Sequence, residues 1–63
     1  MMRDRAAAAL DATHWCGERG PKTMAARIVV ASWLDGVRFA GGMRTIRAAI
    51  RWLEALSTEE NGR

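Results

Sequence analysis

Residues 43–56 read MRTIRAAIRWLEAL, and this stretch decides the fold because it holds the clearest hydrophobic period in the chain. Its apolar side chains recur at steps of three, four and three residues, which is the spacing of one face of an α-helix. They are Met43, Ile46, Ile50 and Leu53, flanked by Ala49 and Leu56. The pattern predicts a helix over residues 43–56, and the polar residues 57–63 predict a tail that frays.

This predicted helix carries two more groups of side chains. Opposite the apolar stripe, guanidinium groups recur on successive turns, at Arg44, Arg47 and Arg51. A second apolar surface is formed by Ala48, Trp52 and Ala55. The other segments of so short a chain cannot cover both apolar surfaces. We therefore expect self-association as a homodimer through this second surface.

Two glycine-bearing breaks, residues 17–22 and 35–42, divide the chain into three segments of one small domain spanning residues 1–63. Alanine has the highest helix propensity, so residues 3–16 predict a first helix, with Gly17 as a left-handed C-cap. Its apolar face is made mostly of small side chains that allow close helix approach: Met2, Ala6, Ala9, Leu10, Thr13 and Cys16.

The middle segment has two interpretations. As a helix, it is capped by Thr23 and ended by Gly36, with Thr23, Arg27, Ala31 and Asp35 outward and Met24, Ile28, Val29 and Leu34 inward. As a hairpin, residues 27–34 and 37–40 form two strands joined by a type I′ turn at Asp35 and Gly36. Most of its residues are helix formers, which favours a compact all-α domain of three helices. The alternative architecture is α-β-β-α.

Composition places the chain among globular proteins, with 49% apolar and 27% charged residues. The net charge of +3 permits contact with nucleic acid or acidic surfaces without requiring it. The single cysteine, Cys16, cannot form an internal disulfide, which indicates a reducing, cytoplasmic location. The sequence contains no run of eighteen apolar residues, so it predicts no membrane span. A chain of this size buries only about 60% of its unfolded surface, so we expect a partner or a second copy.

Few residues of this chain are candidates for catalysis or for metal binding. His14 and Cys16 lie two positions apart, so on a helix their side chains point in nearly opposite directions and cannot form a dyad. One cysteine and one histidine do not supply the four ligands of a structural zinc site. Residues 17–23 end like a phosphate-binding loop, but their spacing is short and Pro21 replaces a glycine. We therefore expect no metal, no cofactor and no enzymatic activity.

The leading functional hypothesis is a small regulator or inhibitor that binds a protein partner stoichiometrically, of the type that phages and mobile elements encode. Its contact residues would be Arg44, Arg47 and Arg51, joined by Arg38. The alternative is a dimeric DNA-binding transcriptional regulator that uses the same arginine face on the phosphate backbone.

Residues 45–53, TIRAAIRWL, resemble the second helix of ribbon-helix-helix repressors, with an upstream helix and a loop in suitable order. In that family, an N-terminal strand from each subunit pairs in a dimer and reads the major groove, so the resemblance implies DNA binding. The chain departs from the family pattern at residues 16–20, CGERG, which make a poor strand, and an additional alanine-rich helix precedes them. The resemblance covers one helix.

Overall fold

Three α-helices follow one another in the computed structural model, which describes residues 1–14 and 20–61, with side chains to residue 59. They are α1 (Met2–Ala12), α2 (Pro21–Leu34) and α3 (Gly42–Asn61), and each packs against the other two. The described residues contain no strand. The all-α prediction is confirmed, and the hairpin alternative finds no support because residues 27–34 lie inside α2.

The end of α2 is set by Gly36, as the sequence predicts. Gly36 has a φ of +96°, in the left-handed region that favours glycine. Its amide donates to the carbonyl of Trp33 at 2.9 Å, and the amide of Val37 donates to the carbonyl of Ser32 at 3.0 Å. This pair of bonds is a Schellman motif, which satisfies carbonyls that the last helical turn would otherwise leave unpaired.

Helix α3 is longer than the predicted 43–56, because it continues to Asn61. Residues 57–61 contain neither glycine nor proline, so no side chain interrupts the backbone hydrogen-bond ladder there. Fraying of residues 57–63 stays a prediction.

The core lies where the three helices meet, and α1 enters it through small side chains. Ala6 and Ala9 are buried, and Met2 and Leu10 pack partly against them, as predicted. Thr13 is also buried, and its Oγ1 donates to the carbonyl of Ala9 at 2.6 Å, which satisfies the hydroxyl inside the protein. The predicted first helix over residues 3–16 is too long, because α1 ends at Ala12 and its C-cap is Thr13. The remaining face residue, Cys16, and the predicted cap, Gly17, lie outside the described residues.

Helix α3 supplies the largest side chains of the core. Its buried residues match the predicted stripe: Ile46, Ala49, Ile50 and Leu53. Met43 stands at the edge of the core with 39% of its surface exposed.

The predicted inward face of α2 is partly wrong. Met24 and Ile28 were expected inside, but 42% and 59% of their surfaces are exposed. The buried residues are instead Thr23, Ala26 and Val30, while Val29 and Leu34 pack partly against the core. Apolar residues surround most of this helix, so its own sequence does not select one face. The small residues face inward because they let α2 approach α1 and α3 closely.

Two other expectations about α2 are also corrected. The N-cap is Gly20, and Thr23 lies two residues after the first helical residue, Pro21. Arg27 was placed on the outer stripe, but it is partly buried, and its Nη2 donates to the carbonyl of Leu10 at 3.4 Å. A cation at the C-terminal end of α1 meets the negative end of that helix dipole.

Candidate binding surface on helix α3

Helical geometry places Arg44, Ala48, Arg51 and Ala55 along one line, on the side of α3 opposite its buried stripe. All four are exposed. Arg47 flanks this line on one side and Trp52, with 43% of its surface exposed, flanks it on the other. We call this surface the α3 outer face; it comprises Arg44, Arg47, Ala48, Arg51, Trp52 and Ala55.

The sequence pattern predicts that the arginines and the second apolar surface lie on separate sides of the helix. The structure brings them together instead. An open groove between α1 and α3 is lined by Met2, Arg5, Arg44, Arg47, Ala48 and Arg51. A ligand on the α3 outer face would therefore meet guanidinium groups and apolar surface at the same time.

Arg5 is the residue of this groove that sequence reasoning missed. Its Nε and Nη2 donate to the two carboxylate oxygens of Glu54 at 2.7 and 2.6 Å, a bidentate pair that joins α1 to α3. No local signal could have identified it, because the two residues lie on helices whose relative position the sequence does not display.

The same ion pair sets the electrostatics at the edge of the groove. Hydrogen bonds from Arg5 are the largest cause of the lowered pKa of Glu54; partial burial opposes them, and the charges of Arg5 and Arg51 contribute to the lowering. Since Glu54 offsets the charge of Arg5, the positive potential of the groove comes mainly from the arginines of α3.

Arg44, Arg47 and Arg51 have their guanidinium groups in solvent. Within the described residues, the ion pair between Arg5 and Glu54 is the only one, and none of these three arginines has a hydrogen-bonded carboxylate partner. A carboxylate or phosphate brought by another molecule would therefore meet donors that no carboxylate of the described residues occupies.

Arg38 is not brought together with the other predicted arginines. It lies exposed in the connection between α2 and α3 and lines a different groove, whose apolar lining includes Trp33, Val37 and Phe39. Arg3 closes one side of that groove: its Nη2 donates to the carbonyl of Leu34 at 2.5 Å, and its guanidinium carbon lies 5.5 Å from the ring centre of Trp33. This cation–π contact holds the start of α1 against the end of α2.

Within the described residues, no three histidine, cysteine, aspartate or glutamate side chains cluster closely enough to hold a metal ion. None of the helices in this part of the chain has the length and apolar composition needed to cross a bilayer.

The chain was also compared with family models, with curated proteins and with solved structures. None of the three comparisons gave a match.

Proposed function

We propose that this protein is a small regulator or inhibitor, of the type that phages and mobile elements encode, that acts by binding an acidic protein partner stoichiometrically and without catalysis. One observation carries the proposal. The α3 outer face combines three solvent-exposed arginines with Ala48 and a partly exposed Trp52. Arginine and tryptophan are the residue types that most often dominate the binding energy of protein interfaces.

The composition of this surface favours a protein over a nucleic acid. Glu54 is only partly buried at the edge of the groove, and Glu59 is exposed one turn beyond Ala55. Arg5 already neutralises the carboxylate of Glu54, but the carboxylate of Glu59 would repel a phosphate backbone, whereas a protein surface can place a cation against it. Trp52 and the alanines add apolar contact area that phosphates do not use.

We also propose that the protein forms a homodimer through Ala48, Trp52 and Ala55. All three are exposed on a single chain. Covering a tryptophan removes about 150–250 Å² of surface from water, which favours association.

A binding experiment with a charge-neutral variant tests the partner proposal. The wild type and Arg44→Gln/Arg47→Gln/Arg51→Gln are immobilised, and bound host proteins are identified and their stoichiometry measured by native mass spectrometry. We expect a one-to-one complex with a protein whose contact surface is acidic, and its loss in the triple variant. Arg38→Gln is the control, since Arg38 is also exposed but lies off the α3 outer face.

The DNA-binding alternative makes a different quantitative prediction. A dimer that contacts six phosphates would show log affinity falling against log salt with a slope of about −5. Measurement of duplex DNA binding between 50 and 200 mM salt distinguishes the two. A slope near −5 that disappears in the triple variant would contradict the protein-partner proposal.

A further inference from the structure

The α3 outer face contains a pair of small residues with the spacing of a helix-packing seam. Ala48 and Ala55 are seven residues apart, so two helical turns bring them back to nearly the same side. Both are exposed, and no described part of the chain packs over them. Small side chains at a crossing point allow two helix axes to approach at the short end of the usual range, about 8 Å.

Charge is distributed unequally along this seam. Arg44 stands one turn before Ala48, and Glu59 stands one turn after Ala55; both are exposed, and neither belongs to an ion pair among the described residues. The seam is thus positive at its N-terminal end and negative at its C-terminal end. Two copies packed in parallel would oppose arginine to arginine, whereas two copies packed antiparallel would oppose arginine to glutamate.

We propose that a second copy of this chain packs on the α3 outer face in an antiparallel arrangement, with Ala48 against the partner's Ala55. The two-fold axis then passes between positions 51 and 52. Counting outward from it places Arg44 opposite the partner's Glu59 and Arg51 opposite the partner's Trp52. The first contact is an ion pair and the second a cation–π contact, and two-fold symmetry repeats each of them.

Two other antiparallel registers also oppose alanine to alanine, but only the proposed one pairs Arg44 with Glu59 and Arg51 with Trp52. A shift by seven residues in one direction opposes Ala55 to the partner's Ala55 and moves Arg51 opposite the partner's Glu59. A shift in the other direction opposes Ala48 to the partner's Ala48 and removes the ion pairs with Glu59. The two competing registers therefore predict different charge partners.

The pairing rests on the homodimer proposed above and gives it a register, and it has a regulatory consequence that rests on the proposed protein partner. Arg44 and Arg51 would be covered in the dimer. A protein partner that binds the α3 outer face must then compete with the second copy. At a fixed concentration of that partner, dilution of the protein dissociates the dimer and raises the fraction of the protein that is in the complex.

A charge-exchange experiment on the protein alone tests the register. The dimer dissociation constant is measured by sedimentation equilibrium for the wild type, Arg44→Glu, Glu59→Arg and Arg44→Glu/Glu59→Arg. Each single reversal turns both symmetric ion pairs into repulsions, and we expect the dissociation constant to rise about tenfold or more. The double variant restores the attraction with reversed sign, and its constant should return to within about threefold of the wild type.

Controls separate this effect from misfolding and from net charge. Both exchanged residues are exposed, so circular dichroism should show unchanged helicity in every variant. Arg38→Glu alters the net charge equally but lies in the connection between α2 and α3, and it should leave the dissociation constant unchanged.

Cross-linking gives a second, independent result. In a Cys16→Ser background, Ala48→Cys/Ala55→Cys should oxidise to a covalent dimer whose peptides join position 48 to position 55. Links of 48 to 48 or 55 to 55 would overturn the register. The proposal would also be overturned by a 7.0 kDa particle at all concentrations, or by recovery in Arg51→Glu/Glu59→Arg in place of the exchange at position 44.

Discussion

The alanine run at residues 6–9 offers a sharp test of the packing, because only two of its four members are buried. Ala6 is 0% exposed and Ala9 is 5% exposed, while Ala7 and Ala8 face solvent. We predict that Ala6→Leu destabilises the protein and that Ala7→Leu does not. Leucine is a good helix former at either position, so the difference between the two variants isolates packing from helix propensity.

The magnitude follows from the complete burial of Ala6 in the core. Adding three carbons to a filled core typically costs about 1–3 kcal/mol. A domain of this length has a total stability of only about 3–9 kcal/mol, so the change is a large fraction of the whole. At about 4–8 °C per kcal/mol, the melting temperature of Ala6→Leu should fall by about 5–20 °C. Ala7→Leu should stay within about 0.5 kcal/mol of the wild type.

Urea unfolding followed by circular dichroism at 222 nm measures both variants. The protein concentration is held constant, because self-association would shift every midpoint. The dependence of the free energy of unfolding on urea concentration should be the same for the variants and the wild type, so the midpoints can be compared directly. Equal stabilities of the two variants, within about 0.5 kcal/mol, would refute the packing of α1 described above.

Three further predictions concern α2, its end and the ion pair. Val30→Ala should lower the free energy of unfolding by about 2 kcal/mol, while Ile28→Ala changes it by less than about 0.5 kcal/mol; urea unfolding that gave the reverse order would restore the sequence-based face. Gly36→Ala should cost about 1–2 kcal/mol, because alanine is strained at a positive φ, and an unchanged melting temperature would contradict this. The pKa of Glu54 is lowered in the folded protein, so its stabilising contribution is complete above the ordinary glutamate pKa of about 4.3 and is lost as the pH falls through the lowered value. Melting temperatures of the wild type and Glu54→Gln should therefore converge in acid, and a difference independent of pH would show that Arg5 does not stabilise the carboxylate.

Much of the candidate site could be predicted from the sequence. The three- and four-residue steps of Ile46, Ile50 and Leu53 define the buried side of α3, and helix geometry alone then exposes the arginines on the other side. What could not be predicted is that the α1–α3 groove contains Arg5, since its position depends on how α1 crosses α3. Arg38 is the opposite case. The sequence-based prediction grouped it with the arginines of α3, but in the structure it lines another groove.

The sequence by itself determined that the first and third segments are helical, favoured a helix over a hairpin for the middle segment, and placed the end of that helix at Gly36. Alanine propensity, proline at the first position of α2 and glycine at residue 36 act within one or two turns, so their effects can be inferred without knowing the rest of the fold. Only the tertiary structure decided which face of α2 is buried. That helix is apolar on most sides, so several rotations would bury similar areas. Packing of α2 against both α1 and α3 selects the rotation that buries Ala26 and Val30.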